Sequence, residues 1–210
     1  MSADVDIGAW LSSLGFGLPA GASAARAVLE AQGLTRPGKQ RLSTEKLHRA
    51  QSALLEALCL HCPSPECEAF AKASGKPPVR SSLKTTCRRC GGSDNRRAET
   101  EFLEACQRAG ARKVVIVGGS PAVREELERG LGGKLELRMI DGTERRTADR
   151  ARADLEWADL VLLWGGTELH HKVSMQYSSA PPELKWKVVH ETKRGVAGLL
   201  AAGVEHFRRR

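Results

Sequence analysis

The spacing of apolar positions changes twice along the chain. Over the first sixty residues they recur every three to four positions, in an amphipathic start at Ile7 to Leu14, an alanine-rich run from Ala22 to Gln32 and a longer run from Ser43 to Leu60. That period predicts three helices. The second and third are separated by GLTRPGKQR, in which Gly33 can end a helix while Pro37 and Gly38 stop it from continuing. Ser43 suits the N-cap of the third helix, with Glu45 in its first turn at the positive end of the dipole. Lys46 stands where a capping box needs Glu or Gln.

From Cys59 to Asn95 the period disappears, and Pro63, Pro65, Gly75, Pro77, Pro78, Gly91 and Gly92 interrupt the chain. A segment broken this often cannot bury much core, so metal is the natural candidate to hold it. After Ala98, helical stretches alternate with four short apolar runs, KVVIVGG, LELRMIDG, ADLVLLWGG and KWKVVHE. Alternation of this kind predicts an α/β domain. The first and third runs are continuously apolar, as parallel strands covered on both faces are. The connection rules then favour a four-stranded parallel Rossmann-like sheet in the order 2-1-3-4. The expected organisation is an all-α unit over residues 1–58, a zinc-binding knuckle module over 59–97 and a Rossmann-like α/β domain over 98–210.

Charge adds a partner class. The 210 residues carry a formal net charge of +8, which favours a polyanion over a neutral small molecule. No run of eighteen apolar residues occurs, and the start MSADVDIGAW is acidic where a secretion signal is basic. A soluble, cytoplasmic protein with no membrane partner is expected. In a reducing compartment, six cysteines with four in paired spacing point to metal binding before disulfides.

Cys87 and Cys90 enclose two residues and are followed by Gly91 and Gly92, the spacing of a metal knuckle in which backbone N–H groups approach the sulfurs. Cys62 and Cys67 enclose four, and nineteen residues separate the two pairs. Together they predict a structural zinc site with no open coordination position; an iron–sulfur cluster has the same ligand count. Cys59 and Cys106 sit on apolar helical runs and read as core thiols, while His61 stays open as a replacement ligand. Arg88 and Arg89 lie inside the knuckle, and Asn95, Arg96 and Arg97 follow it. Arginine forks suit phosphate oxygens and guanine edges, and asparagine suits adenine; a solvated basic edge explains the same residues. The basic connector holding Arg36, Lys39 and Arg41 has the same two readings, a helix-turn-helix-like unit facing phosphates or a solvated loop of a small bundle.

In the 2-1-3-4 order, the glycine turn Gly118, Gly119 and Ser120 after the first strand and Gly165 with Gly166 after the third flank the switch point of the sheet. Ser120 is a natural N-cap before Pro121, so backbone donors are expected to point outward there, toward a phosphate or nucleotide. Asp141 ends the second strand, where an acidic residue reaches ribose in dinucleotide binders, but GGSPAV is not their glycine fingerprint. The helix after the third strand is expected to start at Glu168 and to carry His170, His171 and Lys172. Adjacent histidines on a helix point about 100° apart and rarely share a metal.

VVIVGGSP, IDG, WGGTELHHKVSMQY and TKRGVAGLL together resemble an uncharacterised family of bacterial Rossmann-like domains, a domain of unknown function. The resemblance covers about half the chain, from roughly Lys113 onward, and a cysteine-rich segment ahead of the domain fits it. It implies the Rossmann-like fold and marks Gly118, Gly119, Ser120, His171, Lys172, Ser174 and Tyr177 as functional positions, without assigning an activity.

Three functions compete. The leading one is a zinc-stabilised accessory or regulatory protein that contacts the DNA or RNA backbone through arginines, without enzymatic turnover. The second is a domain that senses a nucleotide or phosphorylated ligand in the crevice and signals to a protein partner. The third is a phosphoester or nucleotide hydrolase using His171 and Lys172, with Ser120, Ser174 or Glu168 alongside.

Overall fold

The computed structural model describes residues 4–210; Met1, Ser2 and Ala3 of the acidic start lie outside them. The chain divides into two compact units, Met1–Ser93 and Asp94–Arg210. The segments 1–58 and 59–93, expected to be separate, therefore belong to one unit, and Asn95, Arg96 and Arg97 belong to the other. No helix among the described residues is long and apolar enough to cross a membrane.

The first unit runs β1 (Asp4–Asp6), α1 (Ile7–Ser13), α2 (Pro19–Ala31), β2 (Arg41–Ser43), α3 (Leu47–Ala57), β3 (Cys59–His61), α4 (Pro65–Ala73) and β4 (Pro78–Arg80). Local chemistry sets the helix ends. The Asp6 carboxylate accepts from the Ala9 N–H at 2.8 Å to cap α1, and Pro19 opens α2. Gly33, at φ 64°, turns the chain off α2 while the Leu34 N–H bonds back to the Leu29 carbonyl. Ile7, Leu11, Ala25, Leu29, Leu42, Ala50 and Leu54 form the core with Phe16, and Leu60 and Val79 extend it to the β3–β4 pair.

The helical reading of this region needs one addition. β1 and β2 pair antiparallel, Val5 opposite Leu42, so the connector between α2 and α3 is a β-paired excursion and no tight helix-turn-helix turn. Arg41 donates to the Asp4 carbonyl at 2.7 Å, and Lys39 offers its carbonyl to Arg26. Three-residue strands have no readable period, which hid the pairing. Ser43 caps only a short 3-10 turn, Thr44–Lys46, before α3 begins.

The second unit runs α5 (Asp94–Ala109), β5 (Lys113–Val117), α6 (Pro121–Leu131), β6 (Glu136–Ile140), α7 (Ala148–Trp157), β7 (Leu160–Trp164), α8 (His171–Ser178), α9 (Pro182–Lys185), β8 (Val188–Glu191) and α10 (Val196–Arg208). All four strands are parallel in the order β6-β5-β7-β8, which is the 2-1-3-4 Rossmann-like arrangement. The continuous apolar runs follow from burial on both faces. Val114, Ile116, Leu160 and Leu162 meet α5, α6 and α10 on one face, while Val115, Val117, Val161 and Leu163 meet α7 and α8 on the other. Gly203 lets α10 approach α5: a Cβ there would lie 2.5 Å from Phe102 Cε2.

Candidate functional site

β3 delivers the chain to Cys62, and α4 carries Cys67 in its first turn. Residues 59 and 61 bond to β4, leaving the alternate Leu60 carbonyl on the free edge to accept the Arg88 N–H at 2.9 Å. That bond seats the Cys87–Cys90 turn beside the strand. Gly92, at φ 82°, lets its N–H reach the Cys90 sulfur at 3.4 Å; a Cβ there would come within 3.1 Å of the Lys84–Thr85 backbone. Gly92 therefore does what the spacing implied, whereas the Gly91 N–H goes to the Cys87 carbonyl at 2.9 Å and closes the turn.

The four sulfurs of Cys62, Cys67, Cys87 and Cys90 are buried, lie within 4.8 Å of one another and can hold a metal ion. All are free thiols, and the Cys62–Cys90 Sγ separation of 3.8 Å is far from a bonded pair. Burial, with Cys62 and Cys87 close by, pushes the Cys67 thiol well above its usual range, and burial also raises Cys90. Burial acts the same way on Cys87, but backbone hydrogen bonds from Cys90, Cys62 and Arg89 outweigh it and bring that thiol down to about 7. A cation among sulfurs this close removes the mutual repulsion of their thiolates. Cys59 and Cys106 are buried and are not members of the cluster, and His61 turns its Nδ1 to the Cys62 carbonyl at 2.9 Å.

The arginines around the knuckle differ in freedom. Arg89 donates to the Glu66 carbonyl at 3.1 Å and lies over the Phe70 ring. Arg88 is exposed, as are Arg36 and Lys39 in the connector. In the second unit, Asn95 donates to Glu126 at 3.2 Å and Arg97 pairs with Asp94 at 2.8 Å; Arg96 is exposed on α5.

At the switch point, Ser120 is the N-cap of α6 and Pro121 opens it, as the sequence implies, while the N–H groups of the two glycines before them bond internally. The Gly118 N–H goes to the Ile140 carbonyl at 2.9 Å, and the Gly119 N–H goes to Thr167 Oγ1 at 3.0 Å. Both glycines have positive φ, and the Trp164 side chain stands 3.2 Å from where a Gly119 Cβ would be. The turn serves tight strand-to-helix packing. Arg124, which the sequence reading missed, bridges the Gly119 carbonyl at 2.7 Å and Asp141 at 2.8 Å. Asp141 also accepts from the Thr143 hydroxyl and N–H, and these bonds with Arg124 hold its carboxyl down at about 2. Gly119, Ser120, Asp141 and Gly166 do line one cavity of about 670 Å³, together with Glu126 and Glu168. Gly165 donates to the Glu191 carbonyl, and Gly118 is buried.

α8 starts later than expected. His170 is its N-cap, and His171 and Lys172 open it, because the chain from Gly165 to Leu169 is a turn closed by the His170 N–H on the Gly142 carbonyl. This places His171 and Lys172 in a second cavity of about 700 Å³ with Arg145 and Arg146. Ser174 donates to the His171 carbonyl. Tyr177 is fully buried and faces the sheet, its hydroxyl donating to Asp154 at 2.8 Å, so it is a core residue and lines neither cavity. No side-chain hydrogen bond joins Ser120, Ser174 or Glu168 to the His171 ring among the described residues.

Asp154 is the other residue that sequence reading missed. At 2% exposed it accepts from Tyr177, from Arg146 through two guanidinium nitrogens and from Arg138; Arg138 also covers the Trp157 ring at 3.9 Å. Its signal was available: a carboxylate between Ala151, Leu155 and Ala158 on the apolar side of a helix needs an internal partner. Comparisons of the chain with protein-family models, curated proteins and solved structures found no match.

Proposed function

We propose that the first unit is a zinc-stapled module that binds the phosphate backbone of a nucleic acid. Zinc fits the sulfur cluster because a tetrahedral ion with Zn–S bonds of about 2.3 Å sets sulfurs about 3.8 Å apart, the Cys62–Cys90 separation. A multi-iron cluster interposes its own sulfides and needs its thiolates farther apart. Four thiolates complete the coordination, so the ion organises structure and performs no chemistry.

The observation that carries the reading is the charge of this module. Residues 59–93 hold six lysines and arginines against two glutamates. Arg80, Lys84 and Arg88 are exposed, and their side chains form no hydrogen bond or ion pair among the described residues. Arg80 ends β4 on one side of β3, and Arg88 is bonded to β3 on the other. Cations carried on both sides of one strand, with no hydrogen bond or ion pair holding their side chains, suit a chain of phosphates. Only nine aromatic residues occur in the protein, which favours backbone contact over base stacking.

Titration of a short DNA duplex at several salt concentrations tests this. Three phosphate contacts give a slope of log K on log salt of about −3 from these side chains alone. The triple variant Arg80→Ala, Lys84→Ala, Arg88→Ala should lose that part of the slope. Absence of affinity at low salt, for duplex DNA and for RNA alike, removes the reading.

A further inference from the structure

The two cavities at the carboxyl edge of the sheet have opposite electrostatic character. The switch-point cavity sets three carboxylates, Asp141, Glu126 and Glu168, against Arg124 and Arg194, and Arg124 is paired with Asp141. The second cavity, between the first turns of α7 and α8, is bordered by Arg145, Arg146, His170, His171 and Lys172, and no carboxylate lines it.

The two arginines and the lysine are not equivalent. Arg146 is held by buried Asp154, which fixes its position and offsets charge at that end. Arg145 and Lys172 are exposed, and their side chains have no hydrogen-bond or ion-pair partner among the described residues. Two full positive charges therefore remain at the mouth. The first amides of α7 and α8, which have no carbonyl behind them within their helices, add partial positive charge. Met175, 47% exposed, gives one wall an apolar surface.

We propose that this second cavity, and not the switch-point crevice, binds the dianionic phosphate of a small phosphomonoester whose organic part lies against Met175. A recess of about 700 Å³ accommodates a molecule the size of a mononucleotide. Two uncompensated cations match the charge of a monoester, and the absence of carboxylates removes the repulsion that the neighbouring crevice presents. Arg146, oriented through Asp154, positions one side of the site, while Arg145 and Lys172 close on the terminal oxygens.

Calorimetric titration of the full chain at low ionic strength tests this with AMP, inorganic phosphate and adenosine. AMP should bind with a Kd of about 0.1–1 mM, phosphate more weakly and adenosine not at all. Arg145→Ala and Lys172→Ala, both at exposed positions, should each weaken AMP about tenfold or more, as loss of a charge-assisted hydrogen bond does. The Arg80, Lys84 and Arg88 variant, which tests the nucleic-acid reading, should bind AMP unchanged, so either reading can fail alone. The proposal is overturned if neither AMP nor phosphate binds, if adenosine binds as well as AMP, or if Arg124→Ala weakens AMP while the Arg145 and Lys172 variants do not.

Discussion

Residues 59–93 and the sheet of the second unit hold their chains by different means. The first segment contains seven prolines and glycines, two three-residue strands and the nine-residue α4, too little regular structure to close a core by itself. Its own buried cluster is four sulfurs. The sheet buries every residue of β7 and all of β5 except Lys113, with helices over both faces. On the metal-stapled reading proposed above, one region depends on coordination by four atoms, the other on many weak contacts. Loss of a single ligand should therefore be far more damaging in the first than loss of a single contact in the second.

Chelation tests this contrast at its largest. Structural zinc in small modules contributes on the order of 10 kcal/mol, so EDTA or Cys87→Ser should abolish amide-exchange protection across 59–93 while β5 and β7 amides stay protected. Equal loss in both regions would break the contrast. The next effect belongs to the one buried charge centre of the sheet. Asp154→Ala leaves Arg146, Arg138 and the Tyr177 hydroxyl without their acceptor and should cost about 3–5 kcal/mol in urea unfolding. A cost below that of a surface substitution would show that the network holds nothing in place.

Packing tests are smaller. Gly203→Ala drives a methyl against the Phe102 ring, and overpacking of this kind costs about 1–3 kcal/mol. The smallest effect expected is at Asp141, whose side chain is 26% exposed. Its carboxyl is held at about 2 against an ordinary 3.8, so it stabilises the folded state above pH 4 and loses that contribution as pH falls toward 2. Asp141→Asn should cost about 1 kcal/mol at pH 7, allowing for solvent screening. Its difference from the unsubstituted protein should narrow in urea titrations at pH 3; a gap that widens instead would assign the stabilisation to another group.

Much of the fold was legible because it follows from short-range pattern. Lys113–Val117 and Leu160–Trp164 are continuous apolar runs, and only a parallel strand covered on both faces accepts them. With four such runs between helices, handedness and connection length left the order β6-β5-β7-β8 as the leading solution. The β1–β2 and β3–β4 pairs were not legible, since Val5 and Leu42, or Leu60 and Val79, are single alternations that any loop contains. Tyr177 misled for a related reason: its place in a motif does not say which side of α8 packs on the sheet.

The sequence by itself determined the sulfur cluster and the parallel sheet. Both rest on local chemistry, ligand spacing in one case and apolar runs in the other. Only the tertiary structure decided which cations are available and where they gather. Asp154 meets Tyr177 twenty-three positions away, Arg124 is drawn to Asp141, and Arg145 reaches the same cavity as Lys172. The first depends on how α7 packs beside α8 and the others on how the loops at one edge of the sheet close over each other, and no spacing along the chain encodes either.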